Sequence, residues 1–433
     1  MADDFDAIVV GAGMAGAPAA IRLARAGVNT LLLERGAEPG VKNLSGGVLW
    51  GNDLERVVPG FATKMPLERH IVRKRFGVLT ESGALSVVHD DAAWRRPPYA
   101  AHAVLRARTD AYLAKAAEEA GATVVTSVPV DRLNWEGERV HGVVQGGETM
   151  TAPVVLVCDG ANSRVSLGTP IRPSSRLRAD ATELGIKEVF RLDAATIEER
   201  FQLSAGEGHA EEWVAGFLPP GVMGGGFLYT NTDTVSLGLI LNVGSLLGPG
   251  AYAHDLMERF KLHPAIAPRL AGAELVEYGA KLISSGWASR PASFHGAGWL
   301  VCGDAAGLVY SNGVVIQGMN YAVRSGWEAA ETVIAARSRG DYSAASLSEY
   351  TSRLERTGIL GDFREAEGLD RVKGNERLYG AYPALAETLA ASLQRADGAS
   401  PVAVVREARR AMKRLKIRPS DAVHDAAELW RAA

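Results

Sequence analysis

The hydrophobic pattern changes period twice within the first thirty-four residues. Ile8 to Val10 is a short β-branched run, as a strand buried on both faces requires. After a glycine-bearing turn, Ala19, Ala20, Leu23 and Ala24 recur at helical spacing, and a second apolar run spans Thr30 to Leu33. These residues predict β-α-β. Further on, the pattern predicts a helix from Thr109 to Ala120 closed by Gly121, with a strand Thr123 to Thr126. A hairpin within 139–158 ends in the strand Val154 to Cys158. Residues 182–290 alternate, carry many glycines and hold few long helical patterns, which predicts a mostly antiparallel sheet. A strand Trp299 to Cys302 and a helix from about Gly318 to Arg337 follow, and the pattern from 344 onward is helical and charged.

The elements imply an α/β chain whose Rossmann-like nucleotide domain is discontinuous. It is expected in residues 1–60, 98–165 and 295–343, with a mostly antiparallel β substrate domain in 61–97 and 166–294. A helical C-terminal region is expected over 344–433. Composition narrows the picture. The 433 residues are 47% hydrophobic and 22% charged, with a net charge of −3, so nothing global points to nucleic acid. Two cysteines, Cys158 and Cys302, exclude a disulfide scaffold and a four-cysteine iron–sulfur cluster, and they suit a reducing compartment. The nine histidines are scattered, and no metal site is expected. No apolar run approaches the roughly 18 to 20 residues that cross a bilayer. The acidic start, Met-Ala-Asp-Asp, does not fit a secretory signal. A cytoplasmic location is expected, with peripheral contact on the inner face of the cell membrane left open.

The chemistry lies in four loops at strand ends. Gly11-x-Gly13-x-x-Gly16, with Ala12 and Ala15 inside it, follows a strand and opens a helix. Gly11 suits a tight turn, Gly13 admits a pyrophosphate, and Gly16 lets helix and strand pack closely. Glu34, ending the second strand beside Arg35, can accept the hydroxyls of an adenosine ribose. Gly303-Asp304 ends another strand, where an aspartate either holds ribityl hydroxyls or caps the next helix. Paired with the first motif it favours FAD. Asp159-Gly160 repeats the strand-end pattern. Arg106, read as closing a strand just before a helix, either meets the pyrophosphate or pairs with Asp110 at i,i+4.

Together these motifs resemble the FAD-binding fold of para-hydroxybenzoate hydroxylase type. Lys42-Asn-Leu-Ser-Gly-Gly47, Gly225 to Asn231, His263 to Pro268 and Gly318-Met319-Asn320 resemble, more narrowly, the FixC family. The likeness runs from residue 5 to about 415. It implies a flavin fed by electron-transfer flavoprotein subunits of FixA/FixB type and a separate FixX-like ferredoxin, with a quinone as acceptor. It implies that Ser45 and Gly46 lie at one edge of the ring. The helix opening at Gly318, Met319 and Asn320 either faces the flavin pyrimidine, where its dipole would stabilise the anionic reduced form, or merely packs closely on the sheet. One departure is Gln317, where several family members carry a basic residue. Self-sufficient isoprenoid reductases and aromatic hydroxylases share the fold, and the absence of a second GxGxxG does not separate them. No catalytic side chain is assigned, since flavin carries the redox chemistry.

Two segments stand apart. Val214 to Tyr229 has no charge over sixteen residues, and its glycines at 224–226 suggest close approach of an apolar ligand. Ordinary core strands would look the same. Residues 403–418 carry seven cations against Glu407, with apolar residues at helical spacing. Such a helix suits an anionic leaflet, an acidic ferredoxin, or plain solvent.

Overall fold

A computed structural model describes residues 3–43, 47–248, 250–284, 286–311, 316–394 and 400–432. The first sheet comprises β1 (Ala7–Val10), β2 (Thr30–Leu33), β7 (Thr123–Val125), β11 (Val155–Val157), β17 (His295–Gly296) and β18 (Trp299–Val301). Its order is β17-β18-β11-β1-β2-β7, parallel except for β17. Ile8, Val9, Leu32, Leu156 and Leu300 are fully buried there, as the unbroken apolar runs require. A small antiparallel sheet of β8 (Arg132–Glu136), β9 (Arg139–Gln145) and β10 (Glu148–Thr151) joins β7 to β11.

Helix Gly16–Arg25 buries Ala17, Ala19, Ala20, Ile21 and Leu23. Pro18 is tolerated because the first-turn amides have no intrahelical partner. The long helix Met319–Arg339 crosses it at close range. A Cβ on Gly326 would lie 2.1 Å from the Ala15 carbonyl oxygen, so only glycine permits that approach.

The second sheet is built from β3 (Gly47–Trp50), β4 (His70–Leu79), β5 (Ala84–Asp90), β6 (Ala101–Val104), β12 (Thr182–Arg191), β13 (Glu207–Ala215), β14 (Gly224–Thr230), β15 (Thr234–Asn242) and β16 (Glu274–Ser284). The order is β16-β12-β15-β14-β13-β4-β6-β3, with β5 on β4. Most pairs are antiparallel, whereas β13 and β4 run parallel. Register between β12 and β16 is regular from Thr182 to Val189 and shifts between Val189 and Phe190. One face carries Ile186, Trp213, Leu228, Leu237 and Leu239, packed with Phe260 from helix Ala253–Leu262. The opposite face turns Lys187, Phe227, Tyr229 and Lys281 toward the nucleotide domain.

Beyond residue 340 the described chain is helical. Helix Pro401–Arg414 packs on helix Ala381–Leu393, burying Ala411 and leaving Val402 and Val405 exposed. Among the described residues no helix is long and apolar enough to cross a membrane.

Candidate functional site

A cavity of about 280 Å³ opens between the two sheets. Gly11, Gly13, Ala15, Glu34, Arg35, Arg106, Asp159, Gly160, Asp304, Gly318 and Met319 all line it. Ala12, Gly16, Gly303 and Asn320 are not among the residues that line it. Ser45 and Gly46 lie outside the described residues, and so does the cofactor edge the resemblance gave them.

The three glycines of the first turn have different causes. Gly11 adopts φ +103°, and a Cβ there would sit 2.4 Å from the Cys158 carbonyl oxygen. A Cβ on Gly16 would lie 1.9 Å from the Gly11 carbonyl oxygen. Both are demanded by the protein's own packing. Gly13 is not: its nearest neighbour would be Arg106 Nη2 at 3.4 Å, so its bareness serves the cavity. Glu34 is held at the end of β2 by the amides of Ala12 (3.1 Å) and Gly36 (2.7 Å), which donate to its two oxygens.

Arg106 is the first residue of helix Arg106–Glu119 rather than the end of a strand. β6 stops at Val104, and the amides of Arg108 and Thr109 donate to the Leu105 carbonyl, so the helix begins three residues before Thr109. Two 2.8 Å bonds join the guanidinium to Asp110, which also accepts from Asn43 Nδ2 at 2.7 Å. Lys281 Nζ in turn donates to Asn43 Oδ1. The i,i+4 pair and the cavity position therefore coexist. Burial lowers the Lys281 amine from its ordinary range and Arg106 repels it, with Asp304 and Asp110 opposing. Burial also works against the charge on Arg106, but Asp110 outweighs it.

Asp159 accepts from the Val165 amide at 3.0 Å through Oδ2, while its buried Oδ1 has no partner among the described residues. Burial pushes its carboxyl up to about 6, against the Val165 amide and Arg172. Gly303, at φ +61°, donates its amide to Ser325 Oγ at 3.0 Å and so presents Asp304 to the cavity. Asn320 Nδ2 donates to Gln317 Oε1 at 3.2 Å.

The nine-stranded sheet supplies the remaining wall through Phe227, Tyr229, Ile240 and Lys281. Phe227 and Tyr229 stack at 4.9 Å. Burial, and then Glu212, raise the Tyr229 hydroxyl well above its ordinary range. The glycine triplet requires a correction. A Cβ on Gly226 would strike Phe260 at 2.5 Å on the far face, and those on Gly224 and Gly225 would meet strand carbonyls at 2.6 and 2.7 Å. Close packing explains all three, and Phe227 and Tyr229, not the glycines, line the cavity. Sequence reasoning missed Lys281 and Asn43. Alternation could have placed Lys281 on one face of β16, but not that face opposite Arg106.

This donor set fits FAD. An open glycine turn, an oriented carboxylate at a strand end, an unpartnered buried carboxylate oxygen and two cations converge on one cleft. Residues 4–191 match the family model described as FAD binding domain, and residues 182–283 match that described as ETF-QO, ubiquinone-binding. In fold the chain is similar to a geranylgeranyl bacteriochlorophyll reductase-like protein from Thermoplasma acidophilum. The TM-score is 0.68 at 19% identity, covering 95% of this chain and 98% of that one. A flavin-dependent brominase, Bmp2, gives a TM-score of 0.62 at 16% identity, over 95% and 99% of the two chains. Fold and site together define an FAD-dependent oxidoreductase. Among curated proteins, FixC of Salmonella typhi is 40% identical over 400 residues, 92% of each chain. FixC of Azotobacter vinelandii is 34% identical over the full length of both. The probable electron transfer flavoprotein-quinone oxidoreductase YdiS of Escherichia coli K12 is 39% identical over 92% of each. The chain belongs to the FixC family.

Proposed function

We propose that this chain passes electrons from a protein donor through FAD to a quinone bound against the inner face of the nine-stranded sheet. The observation that carries the reading is a single cavity walled on one side by the nucleotide turn and on the other by Phe227, Tyr229 and Ile240. The latter three belong to the segment similar to the ubiquinone-binding model.

The flavin supplies redox chemistry, accepting and releasing electrons, and the protein binds and tunes it. Gly13 admits the pyrophosphate, and Arg106 and Lys281 set positive charge against it. Glu34, already oriented by two amides, accepts from ribose hydroxyls. Asp304, which lines the cavity, would hold hydroxyls of the ribityl chain. The N-terminus of helix Met319–Arg339 brings positive dipole to the cavity through Gly318 and Met319, stabilising negative charge on a reduced ring. Phe227 and Tyr229 offer an apolar stacking surface for the quinone.

FixA/FixB-like flavoprotein subunits and a FixX-like ferredoxin are the donors in this reading. A membrane-dissolved quinone places the protein peripherally on the inner face of the cell membrane. The test is stopped-flow spectroscopy of the FAD-loaded protein. Reoxidation of reduced flavin by a short-chain ubiquinone should be fast, and reduction by NADPH alone slow. Rapid bleaching by NADPH without any partner, and indifference to quinone, would move the chain to the self-sufficient reductases.

A further inference from the structure

Behind the Asp159 loop lies a second hollow, of about 170 Å³, which shares Ile283 with the cofactor cavity. Arg172, Arg176, Arg178 and Arg290 all line it, and no carboxylate does. Asp180 pairs with Arg178 at 2.6 Å. Among the described residues, Arg172, Arg176 and Arg290 have no carboxylate within ion-pair distance. Arg290 stacks over the Trp287 ring at 4.4 Å and donates to the Trp287 carbonyl at 2.9 Å, which fixes its direction. Arg172 donates through Nη2 to the Ala305 carbonyl at 2.7 Å, and its buried Nε has no partner. Four arginines on one concave space, with a carboxylate partner among the described residues only for Arg178, leave guanidinium donors free for a polyanion.

We propose that this hollow is a binding site for a small polyanion, a molecule carrying a phosphate or two adjacent carboxylates. Apolar side chains, Leu167, Leu177 and Ile283 among them, share the lining with the arginines. A docked macromolecule is less apt, because the described rim around these arginines carries none of the protein's exposed large apolar side chains. Arg172 also joins the hollow to the cofactor cavity: its charge acts on Asp159, and Ala305 adjoins Asp304. An anion that draws on Arg172 weakens its hold on Asp159, so occupancy reaches the flavin site.

The test is isothermal titration of FAD-loaded protein with inorganic phosphate and with citrate at low ionic strength. With FAD in place the phosphate turn is filled, so saturable one-site binding reports the hollow. Arg176→Ala and Arg290→Ala should each weaken it about tenfold, the loss of one charge-assisted contact, with flavin content and melting temperature unchanged. Citrate bound and phosphate ignored would assign the polycarboxylate source, and the reverse the phosphate source. No saturable binding of either anion, equal binding by the variants, or capture of an acidic ferredoxin with no small anion bound would overturn the proposal. Binding accompanied by a flavin absorbance shift that Arg176→Ala and Arg290→Ala together abolish would establish the coupling. That last arm rests on the cofactor reading, whereas the titration compares anions whatever the cofactor does. Failure of flavin binding would thus appear as lost flavin content, distinct from failure of the anion site.

Discussion

Lys187 provides the sharpest quantitative test. It sits on β12 between Gly238 of β15 and Gly279 of β16, only 1% exposed, and its Nζ has no hydrogen-bond partner among the described residues. Burial pushes its amine from 10.5 down to about 7, with the charge of Glu277 opposing. A depressed folded-state pKa means that the unfolded chain binds more protons between pH 7 and 10.5, so this group's contribution to stability rises with pH across that window. Below pH 7 the full cost is present, and above 10.5 it vanishes. A shift of this size, at ~1.36 kcal/mol per unit, corresponds to a cost on the order of 5 kcal/mol near pH 6. Lys187→Met keeps an unbranched side chain, one atom shorter, and removes the charge. Urea denaturation of wild type and variant, with FAD saturating, should show the variant more stable at pH 6 and the gap closing by pH 10. A variant less stable at pH 6, or a gap independent of pH, would refute the reasoning by showing that the ammonium is satisfied. The expected gain has a functional corollary. A cation retained at such cost on the face shared with Phe227 and Tyr229 belongs among the groups to examine in quinone kinetics.

Two further outcomes are expected. Gly13→Val should abolish flavin retention, read from the flavin-to-protein absorbance ratio, while the fold persists; Gly16→Val should instead lower the melting temperature sharply, because its Cβ collides with the Gly11 carbonyl. Replacing Arg409, Arg410, Lys413 and Arg414 with glutamine should reduce co-sedimentation with anionic vesicles, each charge being worth on the order of 1 kcal/mol near the surface, and salt should do the same. Unchanged vesicle binding with weakened ferredoxin capture would assign that helix to the protein partner, and no change in either would leave it a solvated face.

What the sequence revealed follows from how far apart the interacting residues lie. The nucleotide turn was legible because strand, glycines, helix and Glu34 follow one another within thirty-four residues, even though the approach that Gly11 permits is to distant Cys158. Arg106 offered two readings from spacing; the i,i+4 bond to Asp110 is present, and it does not remove Arg106 from the lining of the cavity, where the pyrophosphate reading remains a proposal. The triplet at 224–226 was misjudged because bare backbone toward a ligand and bare backbone toward Phe260 look alike in one dimension. Lys281 was invisible for a related reason. Its role depends on Asn43 and Asp110, more than 160 residues away, and on the register of an edge strand.

That register has a consequence for how the protein tolerates change. A one-residue slip of β16 against β12 would turn Lys281 to the opposite face and remove it from Asn43. The irregularity at Val189 and Phe190 divides the strand pair into two stretches. Length changes beyond the irregularity, toward Glu274, can be absorbed where the pairing is already broken. Length changes between it and Ser284 are transmitted undiminished to the lysine. The short stretch of β16 from Glu277 to Ser284 therefore acts as a ruler laid along the cavity between the two sheets, and indels are expected to be purged from it while they accumulate at its outer end.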